Sequence, residues 1–201
     1  MFDVLIAGGG AAGMQCALVL GSAGHKPFAR DKKIGIIMHQ RASHLQSALF
    51  NNVLGLAPGI TGMQILESGK KQLAALYPHV IQIEKEKVTA VHGKAGGFTV
   101  KTNRNIYTAG IMVIALGYTS LFNIEGLNGY VEPHPRAEAS KERIWLKNKD
   151  HVVAEGMYVA GTLAGWRSQF SIAAGSGAQV ATDILTLWND GKHTKVHDKI
   201  V

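Results

Sequence analysis

The sequence contains very little cysteine: Cys16 is the only one among 201 residues. A single cysteine excludes an internal disulfide and any Cys-x-x-Cys redox pair. Cys16 lies among small apolar residues of a predicted helix, so we expect a buried thiol that takes no part in redox chemistry. The nine histidines have no Cys-x-x-Cys pair beside them, and we expect no metal site.

The sequence also lacks long apolar runs and concentrated charge. No segment has the length of a transmembrane helix, and Asp3 interrupts the first apolar run, so we expect no signal peptide, no membrane partner and a cytoplasmic location. The formal net charge is +7, but the basic residues are dispersed without interleaved aromatic residues, which argues against a nucleic-acid partner. With 46% apolar residues, residues 1–201 have the composition of one globular domain.

What the sequence does contain is a Gly-x-Gly-x-x-Gly pattern directly after an apolar run. The run, residues 2–7, predicts a strand, and residues 11–23 predict a helix. In such a strand–turn–helix unit Gly8 permits the tight turn, Gly10 lets a pyrophosphate approach the backbone, and Gly13 lets helix and strand pack closely. The pattern therefore predicts a dinucleotide-binding unit.

Two further parts of this unit can be assigned from the sequence. The backbone of Gly10, Ala11 and Ala12 is expected to face the phosphates, because the N–H groups at a helix N-terminus attract anions. A second strand is predicted at about 27–31 and ends at Asp31, 18 residues beyond the last glycine of the pattern. A carboxylate at that place can accept hydrogen bonds from the adenosine ribose hydroxyls.

The rest of the sequence alternates between helical and strand patterns. Residues 32–58 show no periodicity, and a loop of this length inside a domain is usually functional. Beyond it the sequence predicts helices at 60–77 and 168–189, strands at 79–83, 110–117 and 156–162, and a meander at 88–92, 98–102 and 106–108. The fold class is therefore α/β and Rossmann-like, a parallel sheet with helices on one face and a β-meander crossover on the other.

Several motifs follow the glycine pattern in a fixed order, namely Ala115-Leu116-Gly117, residues 156–162 and Gln169-Phe170. Together they resemble the FAD-binding domain of the thioredoxin-reductase-like pyridine nucleotide–disulfide oxidoreductases, over about residues 2–124 and 156–188. Leu116 stands where that family usually has Thr, and Thr162 where it has Asp. Gln40, Asn52 and Gly55 match the spacing of its elements near the isoalloxazine.

The resemblance implies that the cofactor is FAD. It implies that Val88 brings main-chain groups to the adenine, that Gly161 and Thr162 lie beside the ribityl chain, and that the start of the last helix points at the flavin. The residues assigned to the FAD site by the glycine pattern and the resemblance together are Gly8, Gly10, Ala11, Ala12, Gly13, Asp31, Gln40, Asn52, Val88, Ala115, Gly117, Gly161, Thr162, Gln169 and Phe170.

The sequence also departs from that family. Its two-domain members carry an NAD(P)H-binding domain between the strands that correspond to 110–117 and 156–162, whereas here residues 118–155 are too few for one. The sequence contains no second Gly-x-Gly-x-x-Gly. We therefore expect a flavin-binding core, residues 1–117 and 156–190, with a short connection at 118–155. A disulfide reductase mechanism is excluded for the chain by itself.

The function implied by the resemblance is that of an FAD-dependent oxidoreductase. Its electron donor and acceptor, whether small molecules or proteins, are not encoded in a recognisable form. A non-catalytic FAD- or NAD-binding module of a larger complex is the alternative, and a homodimer is compatible with both. No catalytic residue is assigned: His39 and His44, in the 32–58 loop, are either proton donors or solvent-exposed side chains.

Overall fold

The computed structural model of the protein describes residues 1–39 and 44–197. Three helices and a set of mostly short strands make up the regular structure of these residues. The helices are α1 (Ala11–Ser22), α2 (Gly62–Leu76) and α3 (Phe170–Trp188); the strands are β1 (Phe2–Ala7), β2 (Ile34–Met38), β3 (Leu49–Phe50), β4 (Ile60–Thr61), β5 (Ile81–Glu84), β6 (Val88–His92), β7 (Phe98–Thr102), β8 (Ile106–Ile114), β9 (Val131–Pro133), β10 (Ile144–Leu146), β11 (Val152–Ala154) and β12 (Met157–Val159).

The central sheet is built around β1. Val4, Leu5 and Ile6 are fully buried, as is usual for a parallel strand that is covered on both faces. The strand order is β11-β12-β8-β1-β2-β5. All neighbours in this order are parallel except β11 and β12, which are antiparallel. The predicted parallel sheet is confirmed.

Apolar side chains pack on both faces of this sheet. On one face Leu20 of α1, Leu73 of α2 and Ile184 of α3 belong to one buried core. On the other face β6 and β7 form an antiparallel meander, and Phe98 packs there in a second core with Leu5 of β1. The structure therefore has the predicted arrangement, with the helices on one face and the meander on the other.

The turn after β1 shows why two of the glycines are needed. Gly8 has a φ of +116°, and a Cβ atom there would overlap the carbonyl oxygen of Ala115. A Cβ atom at Gly13 would overlap the carbonyl oxygen of Gly8. Gly13 therefore allows α1 to leave β1 at close range, which is the packing function that the pattern predicts.

The prediction of a strand at 27–31 is wrong. These residues form a series of turns, and β2 begins at Ile34. Pro27 cannot donate to a strand ladder, whereas the apolar run Ile34–Met38 is buried at every residue and pairs with β1 and β5 on its two sides. A fully buried strand has no alternation of polar and apolar residues, so periodicity alone did not reveal it.

The strands predicted at 106–108 and 110–117 are one continuous strand, β8. Its first half pairs antiparallel with β7, with Phe98 opposite Ala109. Its second half pairs parallel with β1, with Ala7 opposite Ile114. Thus β8 belongs to both the meander and the central sheet, and it connects the two directly.

Short antiparallel pairs involve both of the predicted loops. In the predicted 32–58 loop β3 pairs with β4, which lies just beyond the loop, and α2 then begins with a capping box in which the Thr61 side chain accepts from the backbone N–H of Gln64. In the 118–155 connection β9 pairs with β10, and β11 joins the edge of the central sheet. The connection therefore contains a small hairpin and an edge strand, and not a second nucleotide-binding unit.

Candidate nucleotide-binding site

A cleft of about 520 Å³ opens at the carboxyl ends of the central strands. This is the edge of an open α/β sheet at which ligands bind. The elements that surround it are the turn after β1, the ends of β2, β8 and β12, the first residues of the connection, and the start of α3. The lining residues include Gly8–Ala12, His39, Phe50, Glu86–Val88, Ala115–Thr119, Leu121–Ile124, Ala160–Thr162, Ser168–Phe170 and Ala173.

The N-terminus of α1 lies open to this cleft. Gly10 is its N-cap, no side chain caps it, and its first turn contains no acidic residue. The first helical bond runs from Met14 N to Gly10 O, at 2.9 Å, so the N–H groups of the three preceding residues have no helical acceptor. A Cβ atom at Gly10 would meet nothing within 4 Å. An anion can therefore approach these N–H groups closely.

The N-terminus of α3 lies at the same cleft. Gln169 is its N-cap without a side-chain hydrogen bond, and its first turn also lacks an acidic residue. Phe170 contacts Phe50 with their ring centroids 5.3 Å apart, which brings the 32–58 region against the start of α3. The positive ends of two helix dipoles therefore meet at one cleft.

Close packing of α1 and α3 sets the positions of these two N-termini. Gly177, in the second turn of α3, lies so near α1 that a Cβ atom there would overlap the carbonyl oxygen of Ala12. Gly161, with a φ of +80°, donates its backbone N–H to the buried Ser176 Oγ at 2.8 Å. These contacts fix the turn after β12 against the start of α3 and place half-buried Thr162 at the cleft.

The opposite end of the cleft lies at the ends of β2 and β5. Glu86 is buried there, and its carboxylate accepts hydrogen bonds from Thr102 Oγ1 (2.6 Å), Asn105 Nδ2 (2.6 Å) and Tyr107 OH (2.9 Å). Burial alone would raise the pKa of Glu86, but these hydrogen bonds and the charge of Arg104 outweigh it and lower the pKa. Burial and the bond to Glu86 raise the pKa of Tyr107.

The structure brings most of the predicted site residues together at this cleft. The predicted residues that line it are Gly8, Gly10, Ala11, Ala12, Val88, Ala115, Gly117, Gly161, Thr162, Gln169 and Phe170. Gly13 lies behind them, in the contact between α1 and β1. Asn52 is exposed and does not line the cleft, and Gln40 lies outside the described residues.

The assignment of Asp31 to the site is wrong. Asp31 is exposed and precedes β2. In the parallel pair of β1 and β2, Val4 lies opposite Ile34 and Ala7 opposite Ile37. Asp31 is therefore near the amino end of β2, whereas the glycine turn is at the carboxyl end of β1. The residue that follows β2 and lines the cleft is His39.

One wall of the cleft was not predicted from the sequence. Tyr118, Leu121 and Phe122, in the first part of the connection, line it beside the end of β8. The apolar residues among these turn formers were the only available signal, and nothing in the sequence placed them at the glycine turn. Ala48 and Phe50 line the cleft from the part of the predicted 32–58 loop that follows β2, and a functional role for this part stays a prediction.

In residues 1–39 and 44–197, no helix is both long enough and apolar enough to cross a lipid bilayer. Over the same residues, no three or more His, Cys, Asp or Glu side chains are grouped as metal ligands.

The glycine turn and the two open helix N-termini at the carboxyl edge of the sheet define the class of this protein as a Rossmann-like α/β domain. The sequence pattern of the pyridine nucleotide-disulphide oxidoreductases matches residues 2–173. The chain belongs to that family.

Solved structures share the fold. A thioredoxin reductase from Gloeobacter violaceus is 15% identical with a TM-score of 0.75, over 100% of this chain and 98% of that chain. An oxidoreductase from Agrobacterium tumefaciens is 16% identical with a TM-score of 0.73, over 92% and 98%. A ferredoxin-flavin thioredoxin reductase from Clostridium acetobutylicum is 15% identical with a TM-score of 0.67, over 94% and 98%. No curated protein matches the chain.

Proposed function

We propose that this chain is an FAD-dependent oxidoreductase whose electron donor and acceptor come from outside the chain. The observation that carries the proposal is the meeting of two uncapped helix N-termini at one cleft, without an acidic residue in either first turn. A dinucleotide with a negatively charged pyrophosphate fits such a cleft. Family membership supports FAD as the dinucleotide.

The part of the cleft at the start of α1 fits the pyrophosphate of FAD. Gly10 presents no side chain, and the space that a Cβ atom would enter is open. The N–H groups of Ala11 and Ala12, which line the cleft at the start of α1, would bind phosphate oxygens. Charge-assisted hydrogen bonds of this kind are among the stronger ones in proteins.

The end of the cleft at β12 and the start of α3 fits the flavin. Gly161 and Thr162 would hold the ribityl chain, with Thr162 as a neutral substitute for the family's carboxylate. The open N–H groups at the start of α3, beside Gln169 and Phe170, would favour negative charge on the flavin. When bound, FAD would supply the electron-transfer chemistry, which this chain's own side chains do not provide.

The chain cannot pass electrons through its own thiol. Cys16 is fully buried, burial raises the pKa of its thiol above the ordinary value, and it has no partner cysteine in the sequence. A buried neutral thiol is a poor nucleophile. We therefore propose that a small molecule or a protein delivers electrons to the cleft and another removes them, and that a homodimer is one way to complete the site.

Cofactor binding tests the proposal. The purified protein, stripped of any bound nucleotide, is titrated with FAD, FMN and NAD, and binding is followed by flavin absorbance and by calorimetry. We expect FAD to bind and to give a flavin spectrum, and FMN to bind more weakly because it lacks the adenosine phosphate. A protein that binds NAD but not FAD would contradict the proposal.

Gly10 provides a variant for the same titration. In Gly10→Val the new side chain would enter the space above the N–H groups of α1, so FAD binding should fall by at least about tenfold, or about 1.4 kcal/mol. Gly97→Val is the matched control, because Gly97 is exposed in the β6–β7 turn and a Cβ atom there also meets nothing within 4 Å. Unchanged FAD affinity in Gly10→Val would place the phosphates elsewhere.

A non-catalytic FAD- or NAD-binding module of a larger complex is a second candidate. The hairpin of β9 and β10 favours it, since the connection contains no second dinucleotide-binding unit to hold a nicotinamide donor. Photoreduction of the reconstituted protein followed by addition of electron acceptors separates the two functions. Reoxidation by an acceptor other than oxygen supports the oxidoreductase, and its absence with every acceptor tried supports the module.

A further inference from the structure

The turn that follows β12 is held by side chains of the 118–155 connection. His134 Nε2 lies 3.1 Å from the carbonyl oxygen of Thr162, and Asn148 Nδ2 donates to the carbonyl oxygen of Ala164 at 3.2 Å. Arg136 Nη1 donates to the carbonyl oxygen of Gly165. Three carbonyl groups within residues 162–165 are therefore bound by the connection and not by the central sheet.

His134 contacts this turn and also Tyr118, a second residue that lines the cleft. Its ring is buried and lies edge-on to the Tyr118 ring, with the centroids 5.5 Å apart. Its Nδ1 accepts from the backbone N–H of Arg136 at 3.1 Å. An accepting Nδ1 leaves the proton of a neutral imidazole on Nε2, so His134 donates to the Thr162 carbonyl.

Tyr118, the first residue of the connection, is held by later residues of the same connection. The backbone N–H of Ile144, in β10, donates to the carbonyl oxygen of Tyr118 at 2.9 Å. The guanidinium of Arg143 lies over the Tyr118 ring, 5.1 Å from its centroid. Tyr118 and Thr162 both line the cleft, so later residues of the connection hold two parts of its lining, of which Thr162 lies at the end that is assigned to the flavin.

We propose that the 118–155 connection is a brace that sets the width of the flavin end of the cleft, with His134 as its central positioning residue. The proposal rests on the proposed function, which assigns that end to the flavin. A preformed wall binds a ligand more tightly because less conformational freedom is lost on binding. The brace therefore acts on the flavin half of FAD and leaves the ADP half unaffected.

Comparison of FAD with ADP tests this division. In His134→Phe the ring against Tyr118 remains, but the donor to Thr162 and the acceptor for Arg136 are lost. We expect the Kd for FAD to rise about tenfold, in the range expected when a buried hydrogen bond is removed, and the Kd for ADP to change less than about twofold. His134→Gln retains a donor near the Nε2 position and should restore most of the FAD affinity.

A second variant keeps the test decisive if His134→Phe does not fold. Arg136 is exposed, so Arg136→Met should fold while losing the bond to Gly165, and it should weaken FAD but not ADP. Lys141→Met is the matched control, because Lys141 lies on the same connection, is exposed, and forms a surface ion pair with Glu138 at 3.2 Å. It should leave both affinities unchanged.

The possible outcomes separate the two proposals. A wild-type protein that binds neither FAD nor ADP overturns the proposed function, and the proposal that the connection is a brace is then overturned as well. A wild type that binds FAD, with variants in which the FAD and ADP affinities fall together or FAD affinity is unchanged, overturns the brace alone. Selective loss of FAD affinity, with unchanged thermal unfolding of Arg136→Met, supports it.

Discussion

At the scale of single residues, the end of β2 distinguishes the proposed FAD site from the pattern expected of a dinucleotide site. No aspartate or glutamate occurs between Asp31 and Glu67, so no carboxylate can follow β2, where one would bind the adenosine ribose. Of the nearby carboxylates, Glu86 already accepts three hydrogen bonds and Glu84 is bound by Lys70 Nζ at 2.5 Å. His39 occupies the position.

A carboxylate at this position should strengthen cofactor binding. In His39→Glu the ribose hydroxyls gain a charged acceptor, so we expect the Kd for FAD to fall about tenfold, since hydrogen bonds to charged groups contribute about 1.5–3 kcal/mol. His39→Gln, a neutral side chain of the same length as Glu, is the control and should change the Kd little. The measurement is calorimetry with FAD; a weaker affinity in His39→Glu would show that His39 does not face the ribose.

Cys16 belongs to the same scale. It is fully buried in the core between α1 and the sheet, where its thiol fills space. Cys16→Ala should lower the free energy of unfolding by about 1 kcal/mol and leave FAD affinity and any flavin-dependent turnover unchanged. Denaturant unfolding and FAD titration measure the two effects. Loss of turnover with FAD still bound would assign the thiol a redox role.

At the scale of elements, the glycines and Glu86 determine how the parts meet. Gly13 and Gly177 bring α1 against β1 and α3, which sets the two helix N-termini side by side. Glu86 binds Thr102 at the end of β7 and Tyr107 in β8. It therefore ties the segment between β5 and β6 to the meander, beside the cleft.

The Glu86 carboxylate should make the free energy of unfolding depend on pH. The folded protein lowers the pKa of Glu86 below its ordinary value of 4.5, so its contribution to stability is complete above about pH 4.5 and is lost as the pH falls through the lower, folded value. Glu86→Gln should lower the free energy of unfolding at pH 7 by about 1–3 kcal/mol, because the amide is uncharged and its NH2 group replaces one of the two oxygens that accept from Thr102, Asn105 and Tyr107.

The predicted difference between the wild type and Glu86→Gln should narrow below pH 4.5. Urea unfolding at several pH values between 3 and 7 measures it, with exposed Glu155→Gln as the control that should match the wild type throughout. A difference that stays constant down to the lowest pH would show that the charge of Glu86 does not stabilise the fold.

At the scale of the whole molecule, residues 118–155 contain a hairpin of β9 and β10 and no helix-and-strand unit that could hold a nicotinamide donor. Much of the rate of electron transfer between bound cofactors comes from positioning. We therefore expect NADH and NADPH to reduce the reconstituted flavoprotein slowly and with weak saturation, unless a partner protein supplies the missing surface. Anaerobic stopped-flow absorbance measures the rate. Fast, saturable reduction would mean that the chain or its homodimer forms a nicotinamide site.

The sequence by itself determined the local units. Gly8, Gly10 and Gly13 predicted the turn and the start of α1, because their spacing reflects contacts within one strand–turn–helix unit. The apolar periodicity of α2 and the turn residues of the β6–β7 meander were likewise sufficient to predict those elements. The family motifs added the end of β8 and the start of α3, and most of the predicted residues do line one cleft.

The tertiary structure alone decided what depends on register and on distant contacts. β2 is buried on both faces, so its sequence shows no alternation of polar and apolar residues. Its register with β1 places Asp31 at the amino end of β2, away from the glycine turn. The Tyr118 wall and the contacts of His134 with Tyr118 and Thr162 join segments that are 16 and 28 residues apart. Neither pairing leaves a local pattern, because side chains that meet only after the sheet has formed are not constrained to any spacing along the chain.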